Sequence, residues 1–215
     1  MIDNFDLFIF DWDGTLSTST SLVKLTRLLK PRYYLRRIQE QGNIYRSLKP
    51  LNPARLGLKA YELEERDRFF SFLYSIYSAM VRPRMREGSF ELIRLLKSRG
   101  KKVAVLSDSR LRRLMDEISM AKLDGRIDLV VSADMINVYK PDPRGIELVA
   151  RRMGIKKSRC VYIGDMASDI MTAKFAGVAS CAIEGGFESA GHIVAAKPNY
   201  MFRSVMEMYR KLRGE

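Results

Sequence analysis

The 215-residue sequence predicts an α/β fold, a parallel sheet with helices on both faces, with an α-helical insertion after its first strand. Short β-rich apolar runs alternate with stretches of helical length, which is the signature of strand–helix–strand units. The runs are nearly continuous in apolar residues, as strands covered on both faces must be. The segment 17–86 breaks that alternation and carries most of the net positive charge.

Five runs read as strands: "LFIF" (7–10), "VAVLS" (103–107), "DLVVS" (128–132), "CVYIG" (160–164) and "ASCAI" (179–183). Between them, "SFELIRLLKSRG" (89–100) and "PRGIELVARRMG" (143–154) read as helices. Gly100 and Gly154 follow basic last turns and act as C-terminal stops. Asp142 is the expected N-cap, with Pro143 at the first helical position.

No strand pattern is visible from 17 to 86. Helices are expected at about 19–30 and 32–41, then a loop with Gly42, Pro50 and Pro53, then a long helix after Asn52–Pro53. This segment holds 15 Lys/Arg against 5 Asp/Glu, a balance of +10, whereas the rest holds 23 against 20. The expected division is a discontinuous core domain, 1–16 and 87–215, and a basic α-helical cap domain, 17–86.

Several classes are disfavoured. The amino terminus has no basic stretch leading into an apolar segment, and Asp3, Asp6, Asp11 and Asp13 argue against a signal peptide. The greasiest segment, "FFSFLYSIYSAMV" (69–81), is far below the ~20 apolar residues that span a bilayer and reads as a buried helix. Cys160 and Cys181 sit in apolar runs without ligand-like spacing, as buried free thiols would. A cytoplasmic protein is expected. His192 is the chain's one histidine, so no serine or cysteine nucleophile with a histidine base can be assembled. Trp12, the one tryptophan, is expected to pack away from the site.

Ligands of an open parallel sheet bind beyond the carboxyl ends of its strands. Asp11 and Asp13 follow the first run, Ser107 closes the second, Lys140 lies in the loop after the third, and Asp165 and Asp169 follow the fourth. Gathered carboxylates make a hard, oxygen-rich site suited to Mg²⁺, which shares its remaining positions with water and phosphate oxygens. A lysine and a hydroxyl beside them would bind an anion. A phosphoryl group held in this way could be attacked by a carboxylate, giving an aspartyl-phosphate. A second aspartate would handle protons.

"DWDGTLS", "VLSDS", "KPDP" and "GDMASDIMTAKFAGV" resemble the four ordered motifs of the haloacid dehalogenase (HAD) superfamily, most closely its phosphoglycolate-phosphatase-like and phosphomutase-like members. The resemblance implies a Rossmann-like core and a Mg²⁺-dependent phosphatase of a small phosphorylated metabolite. It implies Asp11 as nucleophile and metal ligand, and Asp13 as acid/base with its backbone carbonyl on the metal. Ser107 and Lys140 would hold phosphate, Asp165 would ligate the metal, and Asp169 would ligate it or support it through water. Asp13 favours phosphate-ester chemistry, since the superfamily's dehalogenases, phosphonate hydrolases and transport ATPases lack an aspartate there. Thr18 and Tyr139 depart from the usual acidic residue and glycine, and so loosen any inference about substrate.

Three readings of the basic insertion stay open: attraction of an anionic substrate, a surface for nucleic acid or anionic membrane, and a solvated helical face. In "KLTRLLKPRYYLRRI" the aromatics Tyr33 and Tyr34 suit a core or subunit interface better than nucleobases, so no stable nucleic-acid partner is expected. A monomer or homodimer is. The alternatives to a phosphatase are a phosphomutase and a non-catalytic binding module.

Overall fold

In a computed structural model, residues 2–18 and 83–215 are described. The sheet grows outward from its first strand. β1 (Leu7–Phe10) pairs in parallel with β2 (Lys102–Ser107) on one side and with β4 (Cys160–Gly164) on the other. β3 (Leu129–Ser132) flanks β2, and β5 (Ala179–Ile183) and β6 (Tyr200–Phe202) continue beyond β4. The strand order β3-β2-β1-β4-β5-β6 puts the switch in winding direction between β1 and β4, where an open sheet forms its crevice.

Alternate residues of each strand serve opposite faces. Phe8 and Phe10 pack with Leu92, Ile93 and Leu96 of α1 (Ser89–Ser98), Leu114 and Ile118 of α2 (Leu111–Met120), and the C-terminal helix. Leu7 and Ile9 face the other core, with Ile146 and Val149 of α4 (Arg144–Met153) and Ala173 and Ala176 of α5 (Ala167–Ala176). Buried apolar side chains cover both faces, which explains why β1 reads as an unbroken apolar run. The short helices α3 (Ala133–Ile136) and α6 (Ala190–Ala195) and the terminal α7 (Val205–Arg213) complete the layers.

The predicted strands and both predicted helices form. Two differences from expectation have local causes. β6 carries no sequence signal, being three half-buried residues just past Pro198 and, among the described residues, paired to β5 alone. α4 begins at Arg144 with Pro143, not Asp142, at the N-cap, and Asp142 lies one residue before it, its Oδ1 accepting from the Arg144 amide at 2.9 Å. Cys160 and Cys181 are buried free thiols. Burial pushes the Cys160 thiol up to about 11, so neither is a ready thiolate.

The expected insertion helices, including 69–81, lie outside the described residues. The ends of the excursion are visible, and they pair. Ser17 bridges Met85 in antiparallel fashion, the Thr18 amide donates to the Arg84 carbonyl at 2.6 Å, and the Arg86 amide donates to the Leu16 carbonyl at 2.8 Å. Among the described residues, no helix is long and apolar enough to cross a membrane.

Candidate active site

Asp11 follows β1 directly and is buried, its amide still held by the Ile163 carbonyl of β4 at 2.8 Å. Asp165 and Asp169 follow β4, and both are inaccessible to solvent. Carboxylate oxygens of Asp11, Asp165 and Asp169 lie within 4.8 Å of one another. Lys140 reaches in from the loop between α3 and α4, its Nζ 2.9 Å from Asp11 Oδ1 and 2.8 Å from Asp169 Oδ1.

Each carboxylate is oriented by named donors. Asp165 Oδ1 accepts from the Thr15 hydroxyl and Oδ2 from the Phe187 amide, both at 2.7 Å. Asp169, at the third position of α5, accepts the Met166 amide on Oδ2 at 2.9 Å, as a capping acid does. Its Oδ1 also lies 3.2 Å from the Tyr162 hydroxyl. Asp169 therefore both caps α5 and anchors Lys140, which suits support of a cation better than sole ligation of it.

The electrostatics show what the cluster lacks. Burial, with Asp169 and Asp165 alongside, raises Asp11 well above the usual carboxylate range, although Lys140 opposes the shift. Burial and Asp169 push Asp165 up to about 7. Burial disfavours the Lys140 ammonium, but Asp11 and Asp169 overcome it and hold the lysine charged. Three buried carboxylates facing the Lys140 ammonium, with the partly buried Arg86 guanidinium near Asp165, still leave an excess of negative charge that a proton or a cation must offset. The donor set is all oxygen, which fits a hard divalent cation.

Two glycines make this approach possible. Gly14 has φ +86°, and a Cβ there would lie 2.4 Å from Asp165 Oδ2; a Cβ on Gly186 would lie 2.1 Å from the same oxygen. Gly14→Ala is therefore expected to combine backbone strain, ~1–3 kcal/mol, with displacement of Asp165. Thermal melting should show the first, and at least a tenfold loss of activity the second.

The Asp13 side chain has partners of its own. Its carboxylate faces α2, engaged by Arg113 and by Ser109, whose Oγ is 2.5 Å from Asp13 Oδ2. Ser107 is buried at the end of β2, its Oγ accepting from the Ser109 amide at 3.1 Å. Trp12 packs in the core and donates Nε1 to Glu117 at 2.5 Å. His192 is exposed beside Glu188, 3.5 Å from its carboxylate.

A family model described as "Haloacid dehalogenase-like hydrolase" matches residues 8–183. The chain belongs to that family. All four motif stretches of this HAD hydrolase lie inside the matched span. A curated relative, the pyrophosphatase PpaX of Halalkalibacterium halodurans, is 25% identical over 202 residues, covering 93% of each chain. Among solved structures, a predicted phosphoglycolate phosphatase from Haemophilus somnus 129pt superposes with a TM-score of 0.74 at 18% identity, covering 97% of this chain and 98% of that one. CbbY from Rhodobacter sphaeroides, in complex with phosphate, gives 0.62 at 21%, covering 95% and 96%. These two likenesses establish the fold.

Several residues of the site escaped the motif reading. Thr15 and Asp108, whose Oδ1 accepts the Lys140 amide at 3.1 Å, sit inside quoted motifs and were legible in principle. Arg86 had no local signal. Its guanidinium donates to the Gly14 and Glu184 carbonyls, each at 2.5 Å, and so ties the loop after β1 to the loop after β5 that supplies Phe187 and Gly186.

Proposed function

We propose that this HAD hydrolase is a Mg²⁺-dependent phosphatase of a small phosphorylated metabolite, working through an aspartyl-phosphate on Asp11. The observation that carries the reading is the buried Asp11–Asp165–Asp169 cluster with Lys140 lodged between Asp11 and Asp169, at the crevice end of the central strand. Asp11, Asp165 and the Asp13 carbonyl would hold the ion, with Asp169 in support. Mg²⁺ bound there would offset the excess carboxylate charge and screen an incoming phosphoryl group.

The rest belongs to the chain's own residues. Lys140 and the Ser107 hydroxyl hold phosphate oxygens. An Asp11 carboxylate oxygen attacks phosphorus and the bond to the leaving oxygen breaks, that oxygen taking a proton from Asp13. Asp13 then removes a proton from water, which attacks phosphorus, breaks the aspartyl–phosphate bond and restores the Asp11 carboxylate. Residues 17–86 act as the cap that selects substrate, and their +10 balance favours a multiply anionic one.

Pyrophosphate is a second candidate substrate, favoured by the near-full-length relationship to a pyrophosphatase. The test is phosphate release from a panel of phosphoglycolate, sugar phosphates and pyrophosphate with and without Mg²⁺. Metal-dependent turnover of at least one, absent in Asp11→Asn, is the expected result. Equal inertness of the two proteins would sink the reading. Salt-sensitive binding to nucleic acid or anionic vesicles, unaffected by Asp11→Asn, would mark a binding module instead.

The raised Asp165 pKa gives a pH signature. The stability this shift contributes is fully present below the ordinary 3.8 and lost as pH rises through about 7. Metal-free protein should therefore lose stability relative to Asp165→Asn across that window. Mg²⁺ competes with the same protons, so the rise in melting temperature that it confers should be larger at pH 8 than at pH 5.

A further inference from the structure

Asp13 is two residues from Asp11, yet its side chain belongs to a second network. Arg113 Nη1 donates to Asp13 Oδ2 at 2.9 Å and Nη2 donates to Oδ1, fork against fork. Ser109 Oγ donates to the same Oδ2 and lies 2.7 Å from Arg113 Nη1. Arg113 Nε donates to Glu117 Oε1 at 2.7 Å, one turn further along α2, and the other Glu117 oxygen accepts from Trp12 Nε1. Trp12 is fully buried and is the chain neighbour of Asp13. The loop therefore closes: residues 12 and 13 are both bound to one turn of α2.

This arrangement does more than join two charges. The Arg113 side chain is 9% exposed and that of Glu117 13%, so both ions are largely desolvated, a poor route to stability by itself. A planar guanidinium engaging both carboxylate oxygens fixes the position and the plane of the carboxylate, which a point charge such as an ammonium cannot do. Burial opposes the Arg113 charge, but Asp13 and Glu117 outweigh it. The charged fork is permanently available to hold Asp13.

We propose that Arg113 is a positioning residue for proton transfer: it aims the Asp13 carboxylate, and Glu117, fixed by Trp12, holds Arg113 in the orientation that does so. The inference rests on Asp13 being the acid/base of the phosphatase. It makes a distinction between the two halves of the reaction. With p-nitrophenyl phosphate the leaving nitrophenolate departs without needing a proton, so attack by Asp11 depends little on Asp13. Hydrolysis of the aspartyl-phosphate still needs Asp13 to take a proton from water. A misaimed Asp13 slows the second half selectively, and phosphoenzyme accumulates.

The experiment is rapid-mixing kinetics of the whole chain with p-nitrophenyl phosphate and Mg²⁺, comparing wild type with Arg113→Lys, Glu117→Gln and Asp13→Asn. Arg113→Lys keeps the charge and loses the fork. It should lower the steady-state rate about 10-fold, a fraction of the ~10² to 10⁴ that proton transfer contributes. It should also show a nitrophenolate burst approaching one per enzyme. Glu117→Gln should move both readouts in the same direction by less, and stands in if Arg113→Lys does not fold. A merely structural Arg113 would lower burst and steady rate together, in proportion to the folded fraction, and that result overturns the proposal. So does unchanged kinetics. Asp13→Asn turning over like wild type would overturn the role of Asp13 itself, whereas a blocked Asp13→Asn beside an unperturbed Arg113→Lys overturns only the role of Arg113.

Discussion

Asp11→Asn is expected to abolish phosphate release, by at least ~10⁴-fold, the scale on which losing a covalent nucleophile acts. The amide is nearly isosteric but has no anionic oxygen to attack phosphorus. The fold should survive intact. Asp11 is one of the three carboxylates in the buried cluster, and burial already raises its pKa, so an uncharged side chain relieves like-charge repulsion. Lys140 keeps Asp169 as its partner at 2.8 Å. Melting without metal should therefore show Asp11→Asn at least as stable as wild type above pH 7, with a smaller stabilisation by Mg²⁺. Retention of more than a few per cent of activity by a well-folded variant would show that the nucleophile lies elsewhere.

The parts of the molecule that were legible are those that a few adjacent residues specify. β1 is buried on both faces, so four consecutive apolar residues announce it, and the carboxylates that follow must lie at the crevice end of the sheet. Asp165 and Asp169 are read in the same way after β4. Among the described residues β6 is an edge strand with one pairing partner, and its three residues need no distinctive pattern. Arg86 and Arg113 were invisible for a different reason. Each is one arginine among many in an exceptionally basic chain, and its meaning comes from partners 72 and 100 residues away in sequence. Spacing places Asp13 beside Asp11, but it does not tell which way the Asp13 carboxylate turns. That direction is set by a helix that arrives only after the excursion of 17–86.

Lys140→Met separates the two tasks that the lysine performs. Its side chain is 8% exposed, and its ammonium is shared between Asp11 and Asp169. Removing it leaves buried carboxylates without their cation, a change that costs about 3–5 kcal/mol when the orphaned charges stay ionised. For a chain of this size that corresponds to a fall in melting temperature on the order of 10 °C. The loss should depend on pH in a definite direction. At pH 8 the carboxylates compete for too little positive charge, whereas towards pH 5 Asp165, at about 7, and Asp11, raised as well, take up protons and need the ammonium less. The gap between wild type and variant should therefore narrow as pH falls. Saturating Mg²⁺ should narrow it at pH 8 by supplying the missing charge from another quarter. Activity should not return with stability: a phosphoryl group would still lack the lysine, and a loss of ~10² to 10³ in kcat is expected from deleting one such electrostatic contact. A stability gap that ignores both pH and Mg²⁺ would mean that Lys140 holds the loop between α3 and α4 by packing alone. Its position between two aspartates would then be incidental to the chemistry.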